Sequence, residues 1–233
     1  MSFGKLYLVP NKLGKSEQNE FPEFHRTLIK NIKYFIFENE KPGRAFIKDI
    51  NPDKKQTELN IFILNKHTVE TEINSFLNPC LNGNDIALIS DAGCPGVADP
   101  GSEIVKIAHQ NEITVIPLVG PSSIVLALMG SGMNGQDFKF NGYLPIDNNE
   151  RKKKIKVLEK TSLVTTQIFM ETPYRNNKFL SSLMNILKPD TKLCIACDLT
   201  LKTEYIKTKR VDDWKSTKIN LNKRPAIFLI QSD

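Results

Sequence analysis

Cysteine is scarce here: Cys80, Cys94, Cys194 and Cys197 are the only four in 233 residues. So few thiols imply no disulfide framework. Cys194 and Cys197 form a C-x-x-C, but no second pair completes a zinc site. Leu193, Ile195 and Ala196 around them read as a buried strand, on which positions three apart face opposite sides. The pair is read as buried free thiols, and no metal is expected. The first residues lack the charged-then-apolar-then-small order of a secretory leader. No internal repeat or low-complexity segment is present. Residues 113–136 carry no charge and are long enough to span a bilayer. Pro117 and Gly120-Pro121 interrupt them, so a strand, a turn and a helix are expected there, not a membrane span. The expectation is a cytoplasmic protein.

What is present is an ordinary soluble composition, 40% hydrophobic and 25% charged. The net charge of +6 is unevenly spread. Residues 1–117 hold 13 Lys/Arg against 15 Asp/Glu, whereas residues 118–233 hold 19 against 11. A basic second half suggests a surface that faces a polyanion; a solvated lysine surface is the plain alternative.

Through residue 119 strands and helices alternate. Strands are expected at 5–10, 34–37, 59–64, 86–89 and 113–119. Helices are expected at 23–33, 44–50, 69–81 and 102–110. That alternation predicts a doubly wound parallel sheet, which binds ligands beyond the carboxyl ends of its strands. The second half reads as a helix at 121–129, a strand at 138–144 and a basic helix at 150–160. After a strand at 167–170, a helix is expected with Thr172 as N-cap and Pro173 at its first position. Three further strands follow, at 192–196, 204–211 and 224–230, with no strong helix between the last two, so this sheet is expected to be mixed. The fold class is α/β, as two α/β domains, residues 1–118 and 119–233.

Ser90–Gly101, SDAGCPGVADPG, carries the most information. Its small residues let backbone N–H groups approach a ligand closely. It is no Walker loop, since no Gly-Lys-Ser/Thr follows, and no dinucleotide G-x-G-x-x-G. An elaborate structural turn is the bland reading. Gly120-Pro121-Ser122-Ser123 follows a strand and opens a helix, where free N–H donors gather; a serine N-cap is the alternative.

SDAGCPGVADPG, VGPSS and FMETPYR (Phe169–Arg175) together resemble the ordered motifs of the tetrapyrrole-methylase family. Within it they are similar to the branch that methylates small-subunit ribosomal RNA on a ribose 2′-oxygen. Leu6–Gly14 (LYLVPNKLG), NGYLPIDNNERKKK and DLTLKTEYI fit further blocks of that branch, so the likeness covers nearly the whole chain. Three places depart from it. An acidic-Thr-Arg element reads Glu38-Asn39-Glu40-Lys41-Pro42-Gly43-Arg44, and an Arg-Glu-Leu-Thr-Lys block reads Cys197-Asp198-Leu199-Thr200-Leu201. A His-Asn pair reads His67-Thr68. This wording is similar to a shorter sub-branch.

The resemblance implies S-adenosylmethionine (SAM) in a cleft between two domains, usually in a homodimer. It implies cofactor contacts from Pro10, from Ser90, Asp91, Ala92, Gly93, Cys94 and Val97, and from Ser122 and Ser123. Met170, Leu199, Pro225 and Ala226 would lie near the adenosine. A ribose hydroxyl is a weak nucleophile and gains from a base. Asp91, Glu171 and Asp198 are the candidates, with Arg175 or Lys202 for phosphate. Asp91 as a backbone cap and Glu171–Arg175 as a simple pair are the plain readings. His25, His67 and His109 read as surface or structural. The basic segments Arg151–Lys156, Arg175/Lys178, Lys207–Arg210 and Lys223-Arg224 fit phosphate contacts and a ribosomal RNA or small-subunit partner. Two other functions stay open: a small-molecule, tetrapyrrole-like methyltransferase and a SAM-binding protein without catalysis.

Overall fold

The computed structural model describes residues 2–16, 21–65 and 67–232. The chain divides into two compact units, residues 1–13 with 17–121 and residues 14–16 with 122–233.

The first unit is built on strands β1 (Leu6–Val9), β2 (Tyr34–Phe37), β3 (Asn60–Ile63), β4 (Ile86–Ile89) and β5 (Val115–Pro117). All pairings are parallel, in the order β3-β2-β4-β1-β5. The period of two sends alternate side chains to opposite faces. Tyr7, Val9, Phe35, Phe37, Ala87 and Ile89 meet α1 (Glu23–Asn31) and α2 (Glu40–Ile50) through Ile29, Phe46 and Ile47. On the other face, Leu6, Ile36, Ile86 and Leu88 meet Leu77, Cys80, Ile104 and Ile107. Leu77 directly precedes α4 (Asn78–Leu81), which holds Cys80; Ile104 and Ile107 belong to α5 (Gly101–Gln110), and Ile73 of α3 (Glu70–Ile73) packs against the cluster. Each fully buried Leu, Ile or Phe contributes about 1.5–3 kcal/mol of transfer free energy. Both faces therefore stabilise the unit, which accounts for the near-continuous apolar strands. From β1 the chain moves to one side of the sheet, and from β4 to the other. The switch point lies at the carboxyl ends of β1 and β4, where such sheets hold ligands.

The second unit has β6 (Phe138–Tyr143), β7 (Thr166–Met170), β8 (Lys192–Cys197), β9 (Tyr205–Arg210) and β10 (Ala226–Gln231), in the order β6-β7-β10-β8-β9. Only β6–β7 is parallel, so the sheet is mixed. One face packs Phe169, Ile195, Cys197 and Phe228 on α7 (Asn148–Thr161), α8 (Asn176–Ile186) and α9 (Val211–Lys215). The other face takes α6 (Ser123–Ser131). A Cβ on Gly130 would stand 2.8 Å from the Ile206 side chain, so α6 needs glycine to lie this close to β9.

Several local expectations are corrected. The helix expected over 69–81 is broken into α3 and α4. Pro79 has no N–H and its ring crowds the carbonyl four residues back, so a continuous helix cannot pass through it. The helix expected from 44 starts at Glu40, because Pro42 and Gly43 fall in its first turn, where a missing N–H costs little. A Cβ on Gly43 would meet the Phe37 ring at 2.4 Å, so glycine lets α2 sit on β2. The helix placed at Thr172-Pro173 begins at Asn176. Residues 173–175 form a turn instead, with the Arg175 N–H donating to the Thr172 carbonyl at 2.9 Å. Between β9 and β10 a short helix, α9, was not expected. The uncharged 113–136 stretch resolves into β5, a turn and α6, and no helix of the described residues is long and apolar enough to cross a membrane.

Candidate functional site

In the first unit the loops after β1 and β4 are tied together. The Asn11 N–H donates to the Gly93 carbonyl at 2.9 Å, and the Gly93 N–H returns to the Asn11 carbonyl at 3.0 Å. The Asn11 side chain donates to the Ser90 carbonyl at 3.0 Å and the Asp91 carbonyl at 3.1 Å. Ser90 is buried, and its hydroxyl donates to the Gly93 carbonyl at 2.8 Å. Its side chain therefore braces the loop. Gly93 and Gly96 have φ of +71° and +80°, a region glycine enters without strain. Ala98 joins them at +63°. Asp99 gathers the loop's far end by accepting from Gly96 N–H at 2.7 Å and Gly101 N–H at 2.8 Å. The third loop closes on the first: a Cβ on Gly120 would stand 2.4 Å from Pro10. The Cys94 thiol donates to the Pro121 carbonyl at 3.5 Å.

This packing leaves specific groups uncommitted. The N–H groups of Ala92 and Cys94 find no acceptor among the described residues, and the side chains of Ala92 and Val97 are exposed. Ser122 occupies the N-cap position of α6, yet its hydroxyl makes no capping hydrogen bond.

Carboxylates crowd the same end of the sheet. Asp91 Oδ2 accepts from the Asn39 side chain at 2.6 Å, while Oδ1 receives no donor from a described residue. Burial, then repulsion from Asp91 and Asp99, hold the Glu38 carboxyl above the ordinary carboxylate range. Burial also raises Asp99 against the pull of its two amides. Burial and Asp99 raise the Cys94 thiol.

In the second unit, the carboxyl ends of β7 and β8 lie beside the start of β10: Met170 pairs with Ile227, and Cys197 with Ala226. Glu171 Oε1 accepts from Arg175 Nη2 at 2.6 Å, from Arg175 Nε at 3.0 Å and from Thr172 N–H at 2.6 Å. The Glu171 side chain is only 4% exposed, against 41% for Arg175. Asp198 Oδ2 accepts from Arg224 Nε at 2.7 Å and Thr203 Oγ1 at 2.9 Å. Both carboxylates thus hold charge-assisted bonds that fix the turns around them. Leu199 and Ala226 are buried, Met170 half-buried, and Pro225 and Lys202 exposed. The Cys197 thiol is pushed up to about 11, chiefly by burial. No cluster of metal-ligating side chains occurs among the described residues.

The basic segments divide by burial. Arg151 is buried and bonded to the Ile146 carbonyl at 3.0 Å and to the Asn148 side chain, so it is not a phosphate contact. Arg224 is committed to Asp198. Lys152, Lys153, Lys154, Lys156 and Lys160 stay exposed along α7, whose start is capped by Asp147 accepting from Asn149 and Glu150 N–H at 2.9 Å. Lys178, Lys207, Arg210 and Lys223 are exposed as well.

Sequence reasoning passed over Asn11, Asn39, Glu38, Asp99, Thr203 and the pairing of Arg224 with Asp198. Asx residues directly after a strand (Val9-Pro10-Asn11, Phe37-Glu38-Asn39) are the signal that could have found the first two, since such side chains bond nearby backbone or loops.

The unit-one loops fit the carboxylate, amine and ribose of SAM: two uncommitted amides, small residues that leave room, and acceptors beside them. When bound, SAM supplies an electrophilic methyl group on a sulfonium with a neutral leaving group.

No family model matches the chain. Among curated proteins it is 27% identical to the ribosomal RNA small subunit methyltransferase I of Vibrio cholerae, over 97% of this chain and 76% of that protein. It is 31% identical to the protein of that name in Buchnera aphidicola subsp. Schizaphis graminum, over 87% of this chain and 68% of that one. Against the Bacillus subtilis (strain 168) protein of that name, identity is 31% over 86% and 65% of the two chains. Among solved structures, uroporphyrin-III-C-methyltransferase from Thermus thermophilus superposes with a TM-score of 0.55 at 16% identity, covering 98% of this chain and 92% of that one. The last likeness speaks for the fold alone.

Proposed function

The chain belongs to the ribosomal RNA small subunit methyltransferase I family and is a SAM-dependent methyltransferase, and from that premise we propose that its acceptor is a ribose 2′-hydroxyl of 16S ribosomal RNA, at a cytidine. The observation that supports an RNA acceptor is the exposed lysines of α7, five cations on one 14-residue helix with the neighbouring Arg151 withdrawn into structure. Cations so exposed contact phosphates and release counterions, an affinity term that falls with salt.

In this reading each unit contributes its own residues. The amides of Ala92 and Cys94 and the Ser122 and Ser123 hydroxyls bind the cofactor's polar groups. Val97 and Pro10 bound that site, and Met170, Leu199, Pro225 and Ala226 bound the adenosine. Asp91, through its uncommitted Oδ1, accepts the proton of the attacking hydroxyl. Glu171 and Asp198 keep their guanidinium partners, so their part is to hold the turns that present Arg175 and Lys202 to the acceptor's phosphates. The reading carries with it a homodimer, drawn from the resemblance, and the cytoplasmic setting expected from the sequence.

The test reverses charge on α7, as K152E/K153E/K154E, and follows binding to small ribosomal subunits over a salt series. The reading expects SAM affinity unchanged and RNA affinity lower. The slope of log K against log salt should fall by roughly two to three, since each phosphate neutralised by a lysine accounts for about 0.7–0.9 of it. An unchanged slope, together with binding of a tetrapyrrole, would reassign the acceptor to a small molecule.

A further inference from the structure

Asn39 occupies the N-cap position of α2, with extended backbone dihedrals, φ −132° and ψ 133°. Asparagine is among the residues most favoured there, because its side-chain oxygen accepts from the N–H of the second or third helical residue. Here it makes no such bond. The third helical residue is Pro42, which has no N–H to offer. With the third donor missing and the Lys41 N–H not engaged, the side chain is left without its ordinary task. It reaches a loop 52 residues further along the chain and donates Nδ2 to Asp91 Oδ2 at 2.6 Å.

The surroundings make a neutral donor the suitable group. Glu38 stands on one side of Asn39 in sequence, and Asp91 and Asp99 face Glu38 from the Gly-rich loop. Lys12 of the β1 loop pairs with Asp49 at 2.6 Å. A fourth carboxylate would add repulsion, and an amide donates without adding charge. Gly43 completes the device. Without a Cβ it lets the first turn of α2 close on Phe37, and so fixes where Asn39 stands.

We propose that Asn39 is the positioning residue of Asp91, engaging Oδ2 so that Oδ1 is presented to the acceptor hydroxyl as its proton acceptor. This rests on the assignment of Asp91 as the base. It makes the Glu38-Asn39 segment after β2 part of the reaction's machinery, although that segment departs from the wording of the family's main branch.

Four variants separate the outcomes: N39A, N39Q, N39D and D91N. Each is measured for SAM affinity by calorimetry, for the single-turnover rate of methyl transfer to small ribosomal subunits lacking the modification, and for urea stability. Loss of the oriented partner predicts a rate roughly 10- to 100-fold lower in N39A, the usual scale for a disturbed acid–base group, with SAM affinity within about twofold. N39Q, which keeps the amide, recovers most of the rate. In N39D two carboxylates at this separation must share a proton. The acid limb of the pH–rate profile therefore moves upward by a unit or more. Carbon-13 NMR of the protein without cofactor reads the same event: the carboxyl carbon of residue 91 titrates at higher pH in N39D than in the unsubstituted chain.

An unchanged rate in N39A, a rate loss matched by an equal loss of SAM affinity, no recovery in N39Q, or an unmoved carboxyl titration in N39D each overturns the proposal. If D91N loses the rate while N39A keeps it, only the role of Asn39 falls. If D91N keeps the rate, the assignment of Asp91 falls first.

Discussion

Gly93 and Gly132 form a matched pair of left-handed glycines, and replacing each by alanine separates fold from binding. Their φ values are +71° and +69°. A Cβ on Gly132 meets nothing within 4 Å, and one on Gly93 meets only Leu13 at 3.4 Å and the Pro121 carbonyl at 3.7 Å, both ordinary contacts. Sterics with neighbours are therefore nearly equal, and the common cost is the left-handed conformation, about 1–2 kcal/mol for a residue with a Cβ. At Gly93 the backbone also holds two hydrogen bonds to Asn11. If it relaxes to escape the strain, it gives up those bonds, worth about 0.5–1.5 kcal/mol each. Urea unfolding should register a destabilisation of about 1–2 kcal/mol for G132A and about 1–3 kcal/mol for G93A. Calorimetry with SAM should then split the pair. G132A binds as the parent does. G93A binds about tenfold more weakly or worse, since about 1.4 kcal/mol of misalignment in the loop is a factor of ten. Equal SAM affinities in the two variants would refute the placement of the cofactor on the Gly-rich loop.

Other consequences follow from burial. His25 is 1% exposed, its Nδ1 has no partner among the described residues, and desolvation lowers its pKa. The unfolded chain thus takes up its proton first. Stability from the neutral ring is full above the unfolded value of about 6.5 and declines as pH falls below it. H25F should flatten that decline in a urea series from about pH 8 to about pH 5, and an unaltered slope would refute the assignment. Burial pushes the Cys80 thiol up to about 12 and Cys197 up to about 11, and raises Cys194 as well. A thiol reagent at about pH 8 should therefore modify only Cys94 in the native protein, slowly, and all four after denaturation. SAM should slow it further. Removing Arg175 leaves the nearly inaccessible Glu171 carboxylate unpaired, whereas removing the Glu171 charge leaves a half-exposed guanidinium in water. R175A should therefore destabilise more than E171Q, by about 1–3 kcal/mol in chemical denaturation; the reverse order would contradict the geometry.

The central strands of the first unit, β1, β2 and β4, were legible because they are buried on both faces, which makes Tyr34–Phe37 and Ile86–Ile89 unbroken apolar runs. The Gly-rich loop was legible because left-handed turns demand glycine, and Gly93 and Gly96 stand at two of them. The break in the 69–81 helix was signalled by Pro79, but the apolar period at Val69, Ile73, Phe76 and Cys80 outweighed it in a one-dimensional reading. Helix α9 escaped because five residues carry too little period, and its hold on the fold is tertiary: the Trp214 indole donates to the Leu193 carbonyl at 2.8 Å. Within the site, the ion pair of Glu171 with Arg175 could be read from four-residue spacing. The bonds of Asn39 to Asp91, 52 residues apart, and of Arg224 to Asp198, 26 apart, could not, because only the sheet order brings those segments together.

The most direct test of the central claim is methyl transfer itself. The purified protein would be incubated with methyl-labelled SAM and small ribosomal subunits from cells lacking its gene, and the label mapped by nuclease digestion and mass spectrometry. The account predicts label on the ribose 2′-oxygen of one cytidine of 16S ribosomal RNA, and none with D91N. RNA without label, in a preparation that binds SAM and methylates a small molecule, would contradict it.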